Sequence, residues 1–406
     1  MTPSPLLPFD EALARLLGQA RPVDGHETIP IMAAHGRVLA RGLRSSIDVP
    51  RADNTQMDGY AVRVAEATMG ARLPVSQRIP AGHVGGPLAL GTAARIFTGG
   101  LIPGGADAVV MQEMADADGD AVIIREAPAP GQWIRRAGED IREGAEILRA
   151  GERLRPQAVG LAASVGLAEV SVHRRVRVAC FFTGDELADP GEPLAPGAIY
   201  NSNRYVLVGL LRALGCEVSD LGNVPDSLDA TRAALRAAAA GNDLIVTSGG
   251  VSVGDEDHIR PALEAEGELS LWQIAIKPGK PLAYGKVRDA TAREAHFIGL
   301  PGNPVSSFVT FLLFVRPFLL RLQGVERVAP TVLPMRADFD WPRPDRRREF
   351  LRVRINPEGG LELFPNQGSG VLTSTAWADG LVDNPPGGQV RRGDMVRFLP
   401  LDSLLA

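Results

Sequence analysis

Apolar positions recur along this chain with two different spacings, and the switches between them divide it. Near the start, Leu13, Leu16 and Leu17 fall on one helical face, and residues 9 to 40 read as helix, loop and helix. From about 46 to 140 the texture changes to short apolar pieces (LPVSQRI, AARIFT, AVVMQE, AVIIRE) set among Gly and Pro, which predicts an all-β insertion joined by tight turns. Helical spacing returns in PQAVGLAASVG, and the short run AEVSVH completes the unit begun by the N-terminal helices. From Val176 onward, strands VRVACFF, EVSDLGNV, DLIVTSGG and HFIGL alternate with helices NRYVLVGLLRALG, LDATRAALRAAAAG, a segment near 257 to 266, and VSSFVTFLLFVRPFLLRL. Strands separated by helices of this length predict a doubly wound parallel sheet covered on both faces. The remainder carries FLRVRI, LELFP and MVRFLP and reads as a small β-barrel-like domain.

The expected fold is therefore α/β and multidomain. A discontinuous helical or mixed domain takes 1–45 and 141–175, a β-rich insertion 46–140, a central α/β domain 176–325, and a C-terminal β domain 330–406. The length of 406 residues supports several cores, since single cores stop growing near about 300 residues.

Charge and composition remove some classes of function. A net charge of −5 offers no basic footprint for a phosphate backbone, so nucleic acid is not an expected partner. The N-terminus carries Asp10 and Glu11 where a secretory signal needs an uncharged apolar run, which points to a cytoplasmic protein. The apolar stretch from Val305 to Leu320 is broken by Ser306, Ser307, Thr310 and Arg316-Pro317, so a buried helix is expected rather than a membrane span. Cys180 and Cys216 both lie in apolar segments and read as reduced core thiols. Of the 43 basic residues only three are lysine, and all three (Lys277, Lys280, Lys286) fall in KPGKPLAYGK. A compact ammonium differs physically from a guanidinium fork, so this confinement marks the segment.

In a doubly wound sheet the ligand crevice lies beyond the carboxyl ends of the strands, and several loops there are chemically unusual. Thr183-Gly184-Asp185-Glu186 follows the first strand; its two carboxylates either hold a hard cation such as Mg²⁺ or cap a turn. Ser248-Gly249-Gly250-Val251-Ser252-Val253-Gly254-Asp255-Glu256-Asp257 follows another strand. Its glycines let the backbone approach a phosphate, and a bridging divalent cation would relieve the repulsion from Asp255 and Asp257, unless these acids cap the next helix. Lys277-Pro278-Gly279-Lys280 and Pro301-Gly302-Asn303-Pro304 are stiff turns suited to an anion, or else tight turns with solvated lysines. In the insertion, DVPRADNTQMDGYAVR and RRAGEDIREG mix charges and by composition alone read as solvated loops.

Taken together and in order, DVPRADNTQMDGYAVR, RRAGEDIREG, FFTGDEL, TSGGVSVGDEDH, IKPGKPLAYG and GLPGNPVSS resemble the molybdopterin molybdenumtransferase family, MoeA in bacteria and the E-domain of gephyrin in animals, over about residues 9 to 400. The resemblance implies that the α/β domain binds molybdopterin, and that molybdate and adenylylated molybdopterin are converted to molybdenum cofactor and AMP with Mg²⁺. It implies a homodimer, with the active site between the α/β domain of one subunit and the insertion of the other, and a molybdopterin adenylyltransferase as upstream partner. Carried over by position, catalytic roles fall on Asp58, Asp140, Glu186, Asp226, Asp257 and Lys277. Substrate contacts fall by the same carry-over on Thr98, Pro301, Pro304 and Ser369, and by the reading of the loops on Thr183, Gly184, Asp185, Ser248, Gly249, Gly250, Ser252, Gly254, Lys280, Gly302 and Asn303. Metal ligation, read from the acidic loops, falls on Asp257, with Asp255, Glu186 and Asp226.

Gln273 departs from this pattern, standing where some members have lysine, which removes one basic contribution to anion binding. The alternatives are a nucleotide enzyme resembling molybdopterin adenylyltransferase, or a non-catalytic scaffold of the gephyrin kind.

Overall fold

The computed structural model describes residues 6–250 and 258–405. At its centre is a six-stranded sheet in the spatial order 217–224, 177–183, 244–248, 294–300, 281–288, 267–273. Along Arg177–Thr183 the side chains alternate between two cores: Val178, Cys180 and Phe182 face one, Ala179 and Phe181 the other. Every residue of this strand after Arg177 is buried, as the near-continuous apolar run predicts for a strand covered on both faces.

Helices Ser202–Ala213 and Pro304–Leu322 supply the first core through Leu207, Leu211, Phe311 and Phe314, and Leu228–Ala239 and Ile259–Glu266 supply the second through Leu235, Ala238, Ile259 and Leu263. Two of these helices start on side-chain caps. Asn201 Oδ1 accepts from the Arg204 amide at 3.1 Å, and Ser227 Oγ accepts from the Ala230 amide at 3.3 Å. Pro304–Leu322 is long and apolar enough to cross a membrane, but 94% of its apolar window is buried in the protein, as expected for a core helix.

The sheet departs from the all-parallel expectation. Strands 217–224, 177–183, 244–248 and 294–300 are parallel, but Pro281–Arg288 runs antiparallel to Glu294–Leu300, and Gly267–Gln273 runs antiparallel to Pro281–Arg288. The cause is local. Only five residues separate 281–288 from 294–300, enough for a hairpin and too few for a crossover helix.

The N-terminal region differs too. Phe9–Leu17 is a helix, but no second helix follows: His26–Pro30 is a strand paired with Glu169–His173, and Ile31–Ala33 is a single 3₁₀ turn. The partner strand lies more than a hundred residues away, so local spacing carries no trace of it. Phe9–Leu17 also packs on the α/β core, with Ala12 and Leu16 buried there and Phe9 edge-on to Phe314 at 5.2 Å.

The insertion forms its own six-stranded sheet, ordered 108–111, 59–62, 93–96, 72–79, 121–124, 115–118. The C-terminal sheet is ordered 276–277, 348–355, 380–384, 395–400, 333–336. Its first member comes from the α/β region, and Ile276 and Lys277 align in parallel with Arg348 and Glu349. This pairing brings the C-terminal domain to the open end of the central sheet.

Candidate active site

A cleft of about 730 Å³ opens at the carboxyl ends of the parallel strands. Four α/β loops form one wall: Thr183, Gly184 and Glu186; Asp226; Gly249 and Gly250; and Pro301, Gly302 and Asn303, with Ser306 from the first turn of Pro304–Leu322. Lys277 to Pro281 form the floor, and the C-terminal domain closes the other side with Arg347, Gln367, Gly368 and Ser369.

The first wall is built mainly from backbone. Gly249 has φ +97°, and a Cβ there would lie 2.8 Å from the Thr183 carbonyl oxygen, so only glycine lets the two loops meet this closely. Asn203 ties the layer beneath: its Nδ2 donates to Ser248 Oγ at 2.7 Å and to the Gly302 carbonyl at 2.8 Å. Ser248 Oγ in turn donates to the Pro301 carbonyl at 3.2 Å. Ser248 is thus a buried support rather than part of the lining. Asp185 likewise supports, its Oδ1 accepting from the Asp226 amide at 3.1 Å. Pro304 opens the helix, whose first turn aims its positive end at the cleft.

The opposite side is built from charged side chains in pairs. Lys277 Nζ donates to Glu349 Oε1 at 3.1 Å and lies 3.5 Å from Asp345 Oδ2. Glu349 is 1% exposed, and its other oxygen accepts from Trp341 Nε1 at 2.8 Å and Asn384 Nδ2 at 3.2 Å. Arg347 grips Asp345 through Nε at 3.1 Å and Nη2 at 2.8 Å, and these bonds hold the Asp345 carboxyl well below the usual carboxylate range. Lys280 is exposed and has no ion pair among the described residues.

The structure therefore gathers Thr183, Gly184, Glu186, Asp226, Gly249, Gly250, Lys277, Lys280, Pro301, Gly302, Asn303 and Ser369 into one cleft, with Asp185, Ser248 and Pro304 directly behind it. Ser252, Gly254, Asp255 and Asp257 lie outside the described residues. Asp58, Thr98 and Asp140 do not line it. Asp58 Oδ1 accepts from both the amide and the hydroxyl of Thr98 at 2.7 Å, which holds its carboxyl below the ordinary value. Asp140 is exposed on the same insertion, its amide bonded to the Val49 carbonyl at 3.0 Å. Sequence reasoning missed Arg347, Gln367, Gly368 and Ser306, as well as the support given by Asn203 and Glu349.

Three family models match successive regions of the chain. Residues 7–166 match the MoeA N-terminal region (domain I and II), 179–321 a probable molybdopterin binding domain, and 334–401 the MoeA C-terminal region (domain IV). The molybdopterin molybdenumtransferase of Haemophilus influenzae is 38% identical, over 98% of this chain and 100% of that protein. The chain belongs to the molybdopterin molybdenumtransferase family. Molybdopterin molybdenumtransferase 2 of Mycobacterium tuberculosis is 36% identical over 92% of this chain and 93% of that protein. The crystal structure of the molybdopterin biosynthesis moeA protein from Pyrococcus horikoshii superposes with a TM-score of 0.85 at 30% identity, covering 98% of this chain and 100% of that one. That structure thus shares this chain's fold over nearly its whole length.

Proposed function

We propose that this chain is the transferase that inserts molybdenum from molybdate into adenylylated molybdopterin, releasing AMP and forming molybdenum cofactor. The observation that carries this reading is the cleft. It combines the Gly249-Gly250 turn, a helix N-terminus and three cations (Lys277, Lys280, Arg347) in one space of about 730 Å³, large enough for a nucleotide-bearing ligand. Two anions must be held together in this reaction, a phosphate-rich pterin and an oxometalate, and the two unlike walls suit two anions.

The donor set also fits magnesium. Glu186 and Asp226 bring carboxylates, hard oxygen donors, to the cleft lining, which holds no cysteine or histidine among the described residues. Those two, with Asp255 and Asp257, which follow Gly250 in the sequence, would hold the cation, which when bound would supply Lewis-acid polarisation of the adenylyl phosphate. The protein's own work is placement. The Gly249-Gly250 turn and the end of Pro304–Leu322 cradle phosphate oxygens, Lys280, which has no ion pair among the described residues, pairs with them, and Lys277 is held in one orientation by Glu349.

The assembly we propose is a homodimer in which the partner's insertion brings Asp58, Thr98 and Asp140 to this cleft, because Asp58 is already fixed as a charged acceptor on a surface that meets nothing in its own chain's cleft. The buried thiols suit a reducing cytoplasm, with Cys216 pushed up to about 12 by burial. A molybdopterin adenylyltransferase is the class of enzyme that would deliver the substrate.

Reconstitution with adenylylated molybdopterin, molybdate and Mg²⁺ should release AMP, and pyrophosphate release from ATP and molybdopterin would instead identify an adenylyltransferase. Mixing inactive Asp58→Asn and Lys277→Met subunits tests the shared site. Random reassociation of a symmetric dimer leaves one intact site in each mixed dimer, so activity should return to about one quarter of the unmutated level. No recovery after subunit exchange refutes the shared site.

A further inference from the structure

Arg352 is unlike the cations that line the cleft. It sits in the middle of Arg348–Ile355 and is 1% exposed, yet no carboxylate pairs with it among the described residues. Its guanidinium donates to neutral acceptors instead: Nε to Ser374 Oγ at 3.2 Å, Nη1 to the Phe350 carbonyl at 3.3 Å, and Nη2 to the Gly368 carbonyl at 3.2 Å. Its backbone completes a clamp on the preceding residue of that loop. The Arg352 amide donates to Gln367 Oε1 at 2.9 Å, and the Arg352 carbonyl accepts from Gln367 Nε2 at 3.0 Å.

Burial without a counter-charge is costly, and it pushes the Arg352 guanidinium down to about 10. An apolar side chain of similar volume would fill the space at lower cost, but it could not reach three acceptors in fixed directions. The loop that Arg352 grips is also pinned from its far side, where the Val305 amide donates to the Ser369 carbonyl at 2.9 Å. Gln367, Gly368 and Ser369 are thus suspended between a buried cation and the first turn of the helix that faces the cleft.

We propose that Arg352 is a positioning residue that fixes the Gln367-Gly368-Ser369 segment on the C-terminal side of the cleft, and that this segment, as distinct from the Lys277–Glu349 pair, sets affinity for the oxometalate rather than the rate of its conversion. The second half of this inference rests on the transferase reading; the first does not. Arg316 provides a control. It is similarly buried and has no carboxylate partner among the described residues, but it donates to the carbonyls of Val328 and Ser403, which do not line the cleft.

The experiment compares Arg352→Met, Arg352→Lys and Arg316→Met in the full-length protein. Arg352→Met should raise the KM for molybdate about tenfold, the effect of losing one or two hydrogen bonds that position a binding group, while kcat and the KM for adenylylated molybdopterin stay unchanged. Arg352→Lys should recover part of that loss, and Arg316→Met should change neither KM. Hydrogen exchange at the Val305 amide should accelerate in Arg352→Met and not in Arg316→Met, which tests the positioning role even if the transferase reaction is absent. Unchanged Val305 protection overturns the positioning role. A fall in kcat at constant KM, or an identical effect from Arg316→Met, overturns the role in oxometalate affinity. Should Arg352→Met fail to fold, Arg352→Lys and Arg352→Gln carry the same comparison.

Discussion

The two walls of the cleft are made from different materials. The α/β wall holds its shape through backbone: glycines packed against carbonyls, proline-fixed turns, and a helix end. The facing side holds its shape through side chains: Lys277 of the floor bonds Glu349, 72 residues on, and lies beside Asp345, while Trp341 and Arg347 hold those two carboxylates in turn. A backbone wall is rigid, and where Gly249 meets the Thr183 carbonyl it leaves no room for a side chain. A wall of paired charges is adjustable, because a bound anion competes with Asp345 and Glu349 for the same cations.

The largest effect should come from removing the charge that both walls share. Lys277→Met should lower kcat/KM by about 10²–10³, the loss typical of a positioned electrostatic contact, measured by AMP release. It also strands the buried Glu349 carboxylate, so the melting temperature should fall, and adding Glu349→Gln should restore stability without restoring activity. Recovery of activity in the double variant would show that Lys277 serves only the fold.

Gly249→Ala should come next, with a loss of about 10² in turnover from displacement of the loop by a fraction of a bond length. Its φ of +97° and the 2.8 Å approach to the Thr183 carbonyl both oppose a side chain, at a stability cost of about 1–3 kcal/mol. Wild-type kinetics in this variant would mean that the backbone wall yields more easily than its geometry suggests.

This contrast also explains what could be read from sequence. The α/β wall was legible because each loop is a short contiguous string directly after a strand, and Gly-Gly, Lys-Pro-Gly-Lys and Pro-Gly-Asn-Pro carry their geometry in their own residues. The C-terminal wall was not legible. In Arg348–Ile355, alternation places Phe350, Arg352 and Arg354 on one face, and arginines at such positions read as solvent-facing. Arg352 is buried because the 366–370 loop and the short helix Thr373–Trp377 cover its guanidinium, and nothing near Arg352 in sequence reports that cover. The same reasoning applies to His26–Pro30, whose strand partner is fixed only by tertiary pairing. Asp255 and Asp257 were singled out in the sequence and lie outside the described residues.

Within the charged wall, Glu349→Gln should have a smaller effect than loss of Lys277. The amide still offers one oxygen to Trp341 Nε1 but no longer anchors Lys277 by charge. Removing a negative charge makes the cleft more attractive to anions while loosening the lysine. The expected signature is a kcat lowered about tenfold with KM for molybdate unchanged or lower. A raised KM would mean that Glu349 orders the oxometalate site itself.

The smallest effect concerns acid. The Asp345 carboxyl is held below its ordinary value chiefly by its hydrogen bonds to Arg347, so its charged form is favoured in the folded state. A folded value below the unfolded one means that the Asp345–Arg347 contact contributes stability above the unfolded value of about 3.9, and loses it as pH falls toward the folded value. The carboxylate side chain is 24% exposed and its partner 32%, so the contribution should stay under about 1 kcal/mol. Denaturant midpoints of the unmutated protein and Asp345→Asn should therefore differ by a constant amount from about pH 5 to 8, begin to approach each other below about pH 4, and meet only as pH nears the folded value. A difference that grows on acidification would reverse the sign and show that the unfolded chain, not the folded cleft, favours the ionised Asp345.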